Sequence, residues 1–171
     1  MHLRILRGTA GAAAALLLLP AIPGIGTASA QMTMTLTSAG RGGDVSAIVD
    51  AYDHAIEIPS DELSARASGR RVHGPFQVTK RVDRSTPLLY RAMTASETIP
   101  SVRIRIPTSP GRGGEPVMIT LTNARIVSIH SGSGPDETIG HEQISFVYER
   151  IEWASADGTV EHTDEWMGGR R

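Results

Sequence analysis

The chain has 171 residues, no cysteine and a formal net charge of −1. That length suits one domain. The missing cysteines exclude a disulfide framework, a thiolate metal site and a cysteine nucleophile, and the balanced charge gives no argument for nucleic acid as a partner.

The first thirty residues read as a leader rather than as fold. Arg4 and Arg7 precede an apolar stretch from about residue 9 to 22, and Ala28-Ser29-Ala30 follows. This is the n-region, h-region and A-x-A site of a secretory signal peptide. Pro20 and Pro23 interrupt the apolar stretch, which is too short for a membrane span. Cleavage after Ala30 leaves 141 residues (171 less 30) with 15 basic against 18 acidic groups. Residues 31–171 are then expected to form a single domain. An apolar tail on a cytoplasmic protein and a true start near Met32 are the other readings of the same residues.

After the leader, turn-forming clusters and alternating runs follow one another. "MTMTLT" at 32–37 sets Met32, Met34 and Leu36 against threonines, the pattern of a half-buried strand. "SAGRGGD" is a turn. "VSAIVDAYDHAIEIP" at 45–59 has the β-branched and aromatic content of one or two strands. Residues 60–71, "SDELSARASGRR", show no period and are expected to be a long surface loop of the kind that is usually functional. Phe76, Val78 and Val82 then share one strand face, with Gln77, Thr79 and Arg81 on the other. Lys80, the only lysine of the chain, falls on the apolar parity. Pro87 stands at a first helical position after Ser85 and Thr86 as N-cap candidates. Leu88, Leu89, Ala92 and Met93 make one face of a helix that must end before Pro100 and must pack on a sheet to persist.

The remainder is strand after strand. Val102, Ile104 and Ile106 alternate with Arg103 and Arg105. "VMITLTNARIVSIH" at 117–130 is long for one strand, and Asn123 is expected to mark a bulge or bend. "HEQISFVYERIEWAS" at 141–155 is apolar on both faces and so must be covered on both. Asp157-Gly158 is a hairpin turn, and "TVEHTDEW" at 159–166 returns as the last strand. The sum is about eight strands and one short helix: an all-β fold, expected as two packed sheets or a small barrel.

No catalytic constellation stands out. The five histidines after the leader show no metal-binding spacing, so no metal and no cofactor are expected. "HEQ" at 141–143 opens a strand and reads as solvated surface. His73, Asp83 and Ser85 form a triad only on paper, without a nucleophile-elbow motif. Glu149 and Glu152 lie on opposite strand faces, against a catalytic carboxylate pair. Lys80 either snorkels at the strand end or pairs with a carboxylate, Asp83, Glu142 and Glu149 being the candidates. Both readings make it structural.

"GRRVHGPFQVTKRVDRSTPLLYRAM" at 69–93 resembles a pattern of the Hcp family, the tube proteins of the bacterial type VI secretion system. The match rests on Gly69, Arg71, His73, Pro75, Phe76, Thr79, Lys80, Asp83, Ser85, Pro87, Leu89, Tyr90 and Ala92, with Thr86 where the pattern has a second serine. "AYDHAIEIPSD" at 51–61 looks like the family's strand entering its long loop. Residues 141–166 resemble its closing hairpin through Glu142, Gln143, Tyr148, Glu149, Ile151, Trp153, Gly158, His162, Asp164 and Trp166.

The resemblance implies a compact two-sheet β-barrel with one helix on its side, assembling into homohexameric rings that stack into a secreted tube. It implies the spike protein, the contractile sheath and lumen-carried effectors as partners. The loop at 60–72 looks like the one that reaches an adjacent ring, which makes Asp61, Glu62, Arg66, Arg70 and Arg71 candidates for setting stacking register. His73, Pro75, Phe76, Thr79, Lys80, Asp83, Ser85, Pro87, Tyr90, Glu142, Tyr148, Trp153 and Trp166 are then scaffold residues. Tube proteins of this family normally lack a cleavable signal peptide, and the leader here departs from that. A separately exported Hcp-like binding module that builds no tube is the alternative. The sequence runs only to Arg171 after Trp166, so a fused C-terminal toxin domain is not expected.

Overall fold

The computed structural model describes residues 31–37, 43–61, 66–67, 69–108, 115–134 and 139–166, with only the backbone described at 60–61 and 66–67. The leader, Glu62 and the turn at 38–42 lie outside the described residues. The described chain runs β1 (Met32–Thr37), β2 (Val45–Val49), β3 (Ala51–Asp53), β4 (Ile56–Glu57), β5 (Ser60–Asp61), β6 (Arg66–Ala67), β7 (Val72–His73), β8 (Phe76–Arg81), α1 (Thr86–Thr94), β9 (Ile99–Ile106), β10 (Val117–Gly132), β11 (His141–Val147), β12 (Arg150–Ser155) and β13 (Glu161–Glu165).

Nine strands share one hydrogen-bonded sheet in the order β2-β1-β9-β10-β11-β8-β3, with β12 on β10 and β13 on β12. The two ends of that path, β2 and β3, are separated in the chain by Asp50 alone, whose N–H donates to the Thr79 carbonyl at 2.9 Å. The sheet therefore curls back on itself, as the barrel reading expects. Every pairing is antiparallel.

Parity explains the interior. Met34 and Leu36 face Ala47 and Val45 on one neighbour and Ile104 and Val102 on the other. Ile119 and Leu121 continue the row across β10. Phe76 and Val78 meet Phe146 and Ile144. All of these are buried, and each buried aliphatic or aromatic side chain stabilises the fold by about 1.5–3 kcal/mol. From the helix, Leu89 is buried and Leu88, Ala92 and Met93 are partly buried against the same core, the face that the sequence pattern predicts.

Strand β10 binds the two halves together. Up to Ala124 it pairs with β9, and over Val117–Thr122 its other edge pairs with β12. From Arg125 it pairs with β11 instead. Asn123 sits between, at φ 51°, and its amide Nδ2 donates to Glu149 Oε2 at 2.7 Å. Asparagine tolerates this left-handed backbone better than other side chains, so the bend expected there is present. The bulge itself lies further on, between Ile126 and Ser128.

Several expectations need correction. The described residues hold thirteen strands rather than about eight, because short pieces of two or three residues carry no period. Strand β8 ends at Arg81, so Val82 lies beyond it and is exposed rather than on the face of Phe76 and Val78. Residues 45–59 hold three strands, not one or two, because Asp50 and the His54-Ala55 step each interrupt the ladder. The expected loop at 60–71 is part of a two-stranded ribbon: β4 pairs with β7, and β5 with β6, apart from the large sheet. Too few residues pair in each piece for alternation to show. Ser85 occupies the N-cap position but makes no side-chain cap to the helix, because its hydroxyl is used elsewhere, as described below.

Leu121 is fully buried between Val102 and Ile151. Leu121→Ala is expected to lower unfolding stability by about 2–5 kcal/mol in urea titration, as truncated core leucines do.

Candidate functional site

Two buried polar clusters interrupt the apolar interior. The first is the corner where β8 turns into α1. Lys80 is fully buried and its ammonium has three donors. They reach the Arg81 carbonyl at 2.7 Å, Asp83 Oδ1 at 2.9 Å and Glu142 Oε1 at 2.7 Å. Glu142 is itself 1 % exposed and stands directly opposite Lys80 in the β8–β11 ladder. Solvated surface is therefore the wrong reading of "HEQ" at this position. Glu142 has the same strand parity as Ile144 and Phe146, so its carboxylate goes inward with them.

Hydroxyls complete the corner. Thr86 Oγ1 donates to Glu142 Oε1 at 2.9 Å, and Ser85 gives both its N–H (2.8 Å) and its Oγ (2.5 Å) to Asp83 Oδ1. Burial pushes the Asp83 carboxyl up, but the bonds from Ser85 and Lys80 outweigh it and hold the group below its usual range. Its share of stability is therefore present above about pH 4 and lost as pH falls through the lowered value.

The second cluster lies where the ribbon joins the barrel. Tyr148 OH stands 2.7 Å from His54 Nε2 and 2.9 Å from His73 Nδ1. His73 Nε2 faces Asp164 Oδ2 at 3.3 Å, close enough for charge attraction but off the hydrogen-bonding line. Arg71 donates to Asp164 Oδ1, and the Glu165 N–H donates to the same oxygen at 2.8 Å. Trp166 packs on both His73 and Tyr148, and His54 packs on Phe76 and Trp153. Burial and the Asp164 charge push the Tyr148 hydroxyl well above its usual range, so it stays a neutral phenol. Burial raises the Asp164 carboxyl, but Arg71 and the Glu165 N–H bring it down below the ordinary value.

The paper triad does not assemble. His73 turns one nitrogen to Tyr148 and the other to Asp164, while the Ser85 hydroxyl is held by Asp83. Among the described residues no three histidine or acidic side chains converge as a metal site.

Residues 27–154 match the family model described as "Type VI secretion system effector, Hcp". The chain belongs to that family. The Major exported protein of Pseudomonas aeruginosa is 31 % identical over 127 residues, covering 70 % of this chain and 74 % of that one. The solved Hcp1 protein from the E. coli EAEC 042 pathovar is 29 % identical with a TM-score of 0.67, over 80 % of this chain and 98 % of that one. The secreted protein Hcp3 of Pseudomonas aeruginosa (24 % identical, TM-score 0.64, 81 % and 99 % covered) shares the fold.

In this Hcp chain the motif residues divide between the two clusters. Lys80, Asp83, Ser85 and Glu142 make the corner. His73, Tyr148 and Trp166 make the ribbon joint, with Phe76 and Trp153 reached through His54. Thr79 lies in β8, with its carbonyl on Asp50; Pro87 opens the helix, while Pro75 and Tyr90 are exposed. The sequence reading missed His54 and gave Arg71 to ring stacking. Arg71 pairs with Asp164 inside its own chain, and half of its side chain remains exposed. Asp61 and Arg66 are described in backbone only, and Arg70 is exposed at the ribbon.

Removing one member of the corner leaves an uncompensated buried charge. Lys80→Met is expected to cost about 3–5 kcal/mol in denaturant unfolding. The double change Lys80→Met with Glu142→Leu should recover most of that loss. A double variant no more stable than the single one would show that the unpaired Glu142 carboxylate is not what destabilises Lys80→Met.

Proposed function

We propose that this chain is a structural subunit of the type VI secretion tube, forming hexameric rings that stack, rather than an enzyme. The observation that supports this most is the ribbon from Ile56 to His73. It stands apart from the large sheet and exposes Ile58 and Val72, each more than half accessible, beside charged residues. Apolar side chains on a projecting element with a charged surround suit contact with another copy of the chain. Stacked faces that repeat by translation give a filament, and rotation that closes gives a ring.

The spike protein, the sheath and lumen-carried effectors are the partners this reading brings with it, and export through the secretion system is its localisation, in keeping with the name of the Pseudomonas aeruginosa relative. Asp61, Glu62, Arg66, Arg70 and Arg71 are proposed to set stacking register. The leader at 1–30 is proposed as a signal peptide, and residues 31–171 as one domain. The leader also motivates the second reading, an exported binding module that keeps the barrel without the ring.

Native mass spectrometry of the protein made from its own locus separates the two. A hexamer beginning near Met32 is the expected result for a tube subunit. A monomer beginning at Gln31 would favour the exported module. Within the first reading, Val72→Glu is expected to leave the circular dichroism of the barrel unchanged and to reduce ring stacking at least about tenfold by sedimentation, since a charge placed in an apolar contact carries a desolvation cost.

A further inference from the structure

The ribbon joint contains two histidines on opposite strands of the ribbon's root. His54 precedes β4 on the outgoing strand, and His73 ends β7 on the returning one. Between them the backbone is closed by the Gly74 N–H to the Ala55 carbonyl at 2.9 Å and by the Ile56–His73 pairing. Tyr148, from the connection between β11 and β12, bridges both imidazoles with one oxygen. We propose that His54, Tyr148, His73 and Asp164 form a proton-counting clasp, which holds the ribbon root to the barrel with no added proton or with one, and releases it with two.

Counting donors and acceptors fixes the tautomers. Asp164 is ionised and accepts only. A lone pair on His73 Nε2 would face its carboxylate at 3.3 Å, so in the neutral network the hydrogen is on Nε2. Nδ1 is then an acceptor and takes the Tyr148 O–H. The Tyr148 oxygen in turn accepts the Nε2–H of His54. Tyr148 and the two ring nitrogens that face it are then paired, His73 Nε2–H meets Asp164 through charge attraction alone, and all donors run in one direction, from His54 toward Asp164.

One proton can be added without loss. It enters at Nδ1 of His54, the less buried of the two rings. His54 passes its Nε2 hydrogen to the Tyr148 oxygen, and Tyr148 passes its own hydrogen to His73 Nδ1. The positive charge then rests on His73 beside Asp164. His54 is neutral again as its Nδ1–H tautomer, and Tyr148 donates back to His54 Nε2. The direction of the chain has reversed and no bond has been lost.

A second proton cannot be placed. With both rings cationic, His54 Nε2–H and His73 Nδ1–H both point at the Tyr148 oxygen, and the phenol hydrogen has no acceptor between them. Two cations then flank one oxygen. The charges that could offset them are few: Asp164 from β13 is already engaged by Arg71 from the run into β7, and Asp53 from β3 gives His54 only a minor pull. Phe76, Trp153 and Trp166 supply ring faces but no acceptor oxygen.

Burial and the neighbouring His73 hold His54 below the usual imidazole range, against a smaller opposing pull from Asp53. A base depressed in the folded state contributes its full stability above its unfolded value, about 6.5, and loses it as pH falls below that point. The clasp is therefore closed at neutral pH and opens in acid. The inference concerns the single chain and holds whether or not rings form.

Hydrogen exchange of the full chain tests it, read by mass spectrometry at residues 55–57 and 72–74 from about pH 7.5 to about pH 5, the range in which histidine titrates. Rates are normalised to the unstructured rate at each pH, and native mass spectra in the same buffers register any change of assembly. The expected result is at least about a tenfold loss of protection at the ribbon root in acid with β9 and β10 unaffected. His54→Gln, which can donate and accept but takes no proton, should keep the root protected throughout. Equal wild-type protection at both ends of the range, or opening of His54→Gln alongside the wild type, overturns the proposal. Should His54→Gln fail to fold, nitrogen-15 spectra of the wild-type histidines decide. The one-proton stage is expected to show a His73 imidazolium and a His54 Nδ1–H tautomer, and a His54 imidazolium beside a neutral His73 overturns the proposal.

Discussion

An ammonium group has three hydrogens and no acceptor, and at Lys80 all three are used inside the protein. The rest of the corner follows from that constraint. Glu142 must lie opposite Lys80 across the β8–β11 ladder, so the register of those two strands is fixed by charge as well as by Phe76 and Phe146. Asp83 must fold back over the strand end, so the chain turns there and Ser85 and Thr86 are drawn in as donors. The helix starts where this turn ends. A guanidinium would bring five donors in a rigid planar fork where three acceptors already match the ammonium and Glu142 Oε2 alone is left without a partner, which is a physical reason for lysine at this position.

The fold was legible where the period was long. Strands of five or more residues with one buried face announce themselves by alternation, and Pro87 with Leu88, Leu89, Ala92 and Met93 announces the helix. Pieces of two residues carry no period, so the ribbon strands could not be found that way. Their pairing is fixed by backbone bonds between segments distant in the chain. Lys80 was visible as a charge on apolar parity. The same test applied to Glu142, which shares its parity with Ile144 and Phe146, would have named its partner; reading "HEQ" as a solvated strand start hid it.

The ribbon joint was much less legible. Its members come from β7, from the step before β4, from the β11–β12 connection and from the end of β13, and no spacing in a single segment relates them. Family resemblance named His73, Tyr148 and Trp166 as scaffold, but the geometry adds His54 and Asp164. Both clusters are polar groups closed on one another and buried under apolar or aromatic cover, an arrangement that fixes unique geometry at segment joints.

The pairing of β1 with β9 also bears on how the molecule is made. It is long-range: Thr33 meets Arg105 across that ladder, so the first strand has no neighbour on that side until residue 105 has left the ribosome. Topologies of this kind fold slowly, because loop closure must precede the contacts that reward it. During synthesis β1 and β2 can form only an isolated hairpin, which is marginal in water, with its edges open to other nascent chains. The chain is therefore most vulnerable to misassembly before β9 is complete, and its yield in the cell depends on protection of that early hairpin as well as on the stability of the finished barrel.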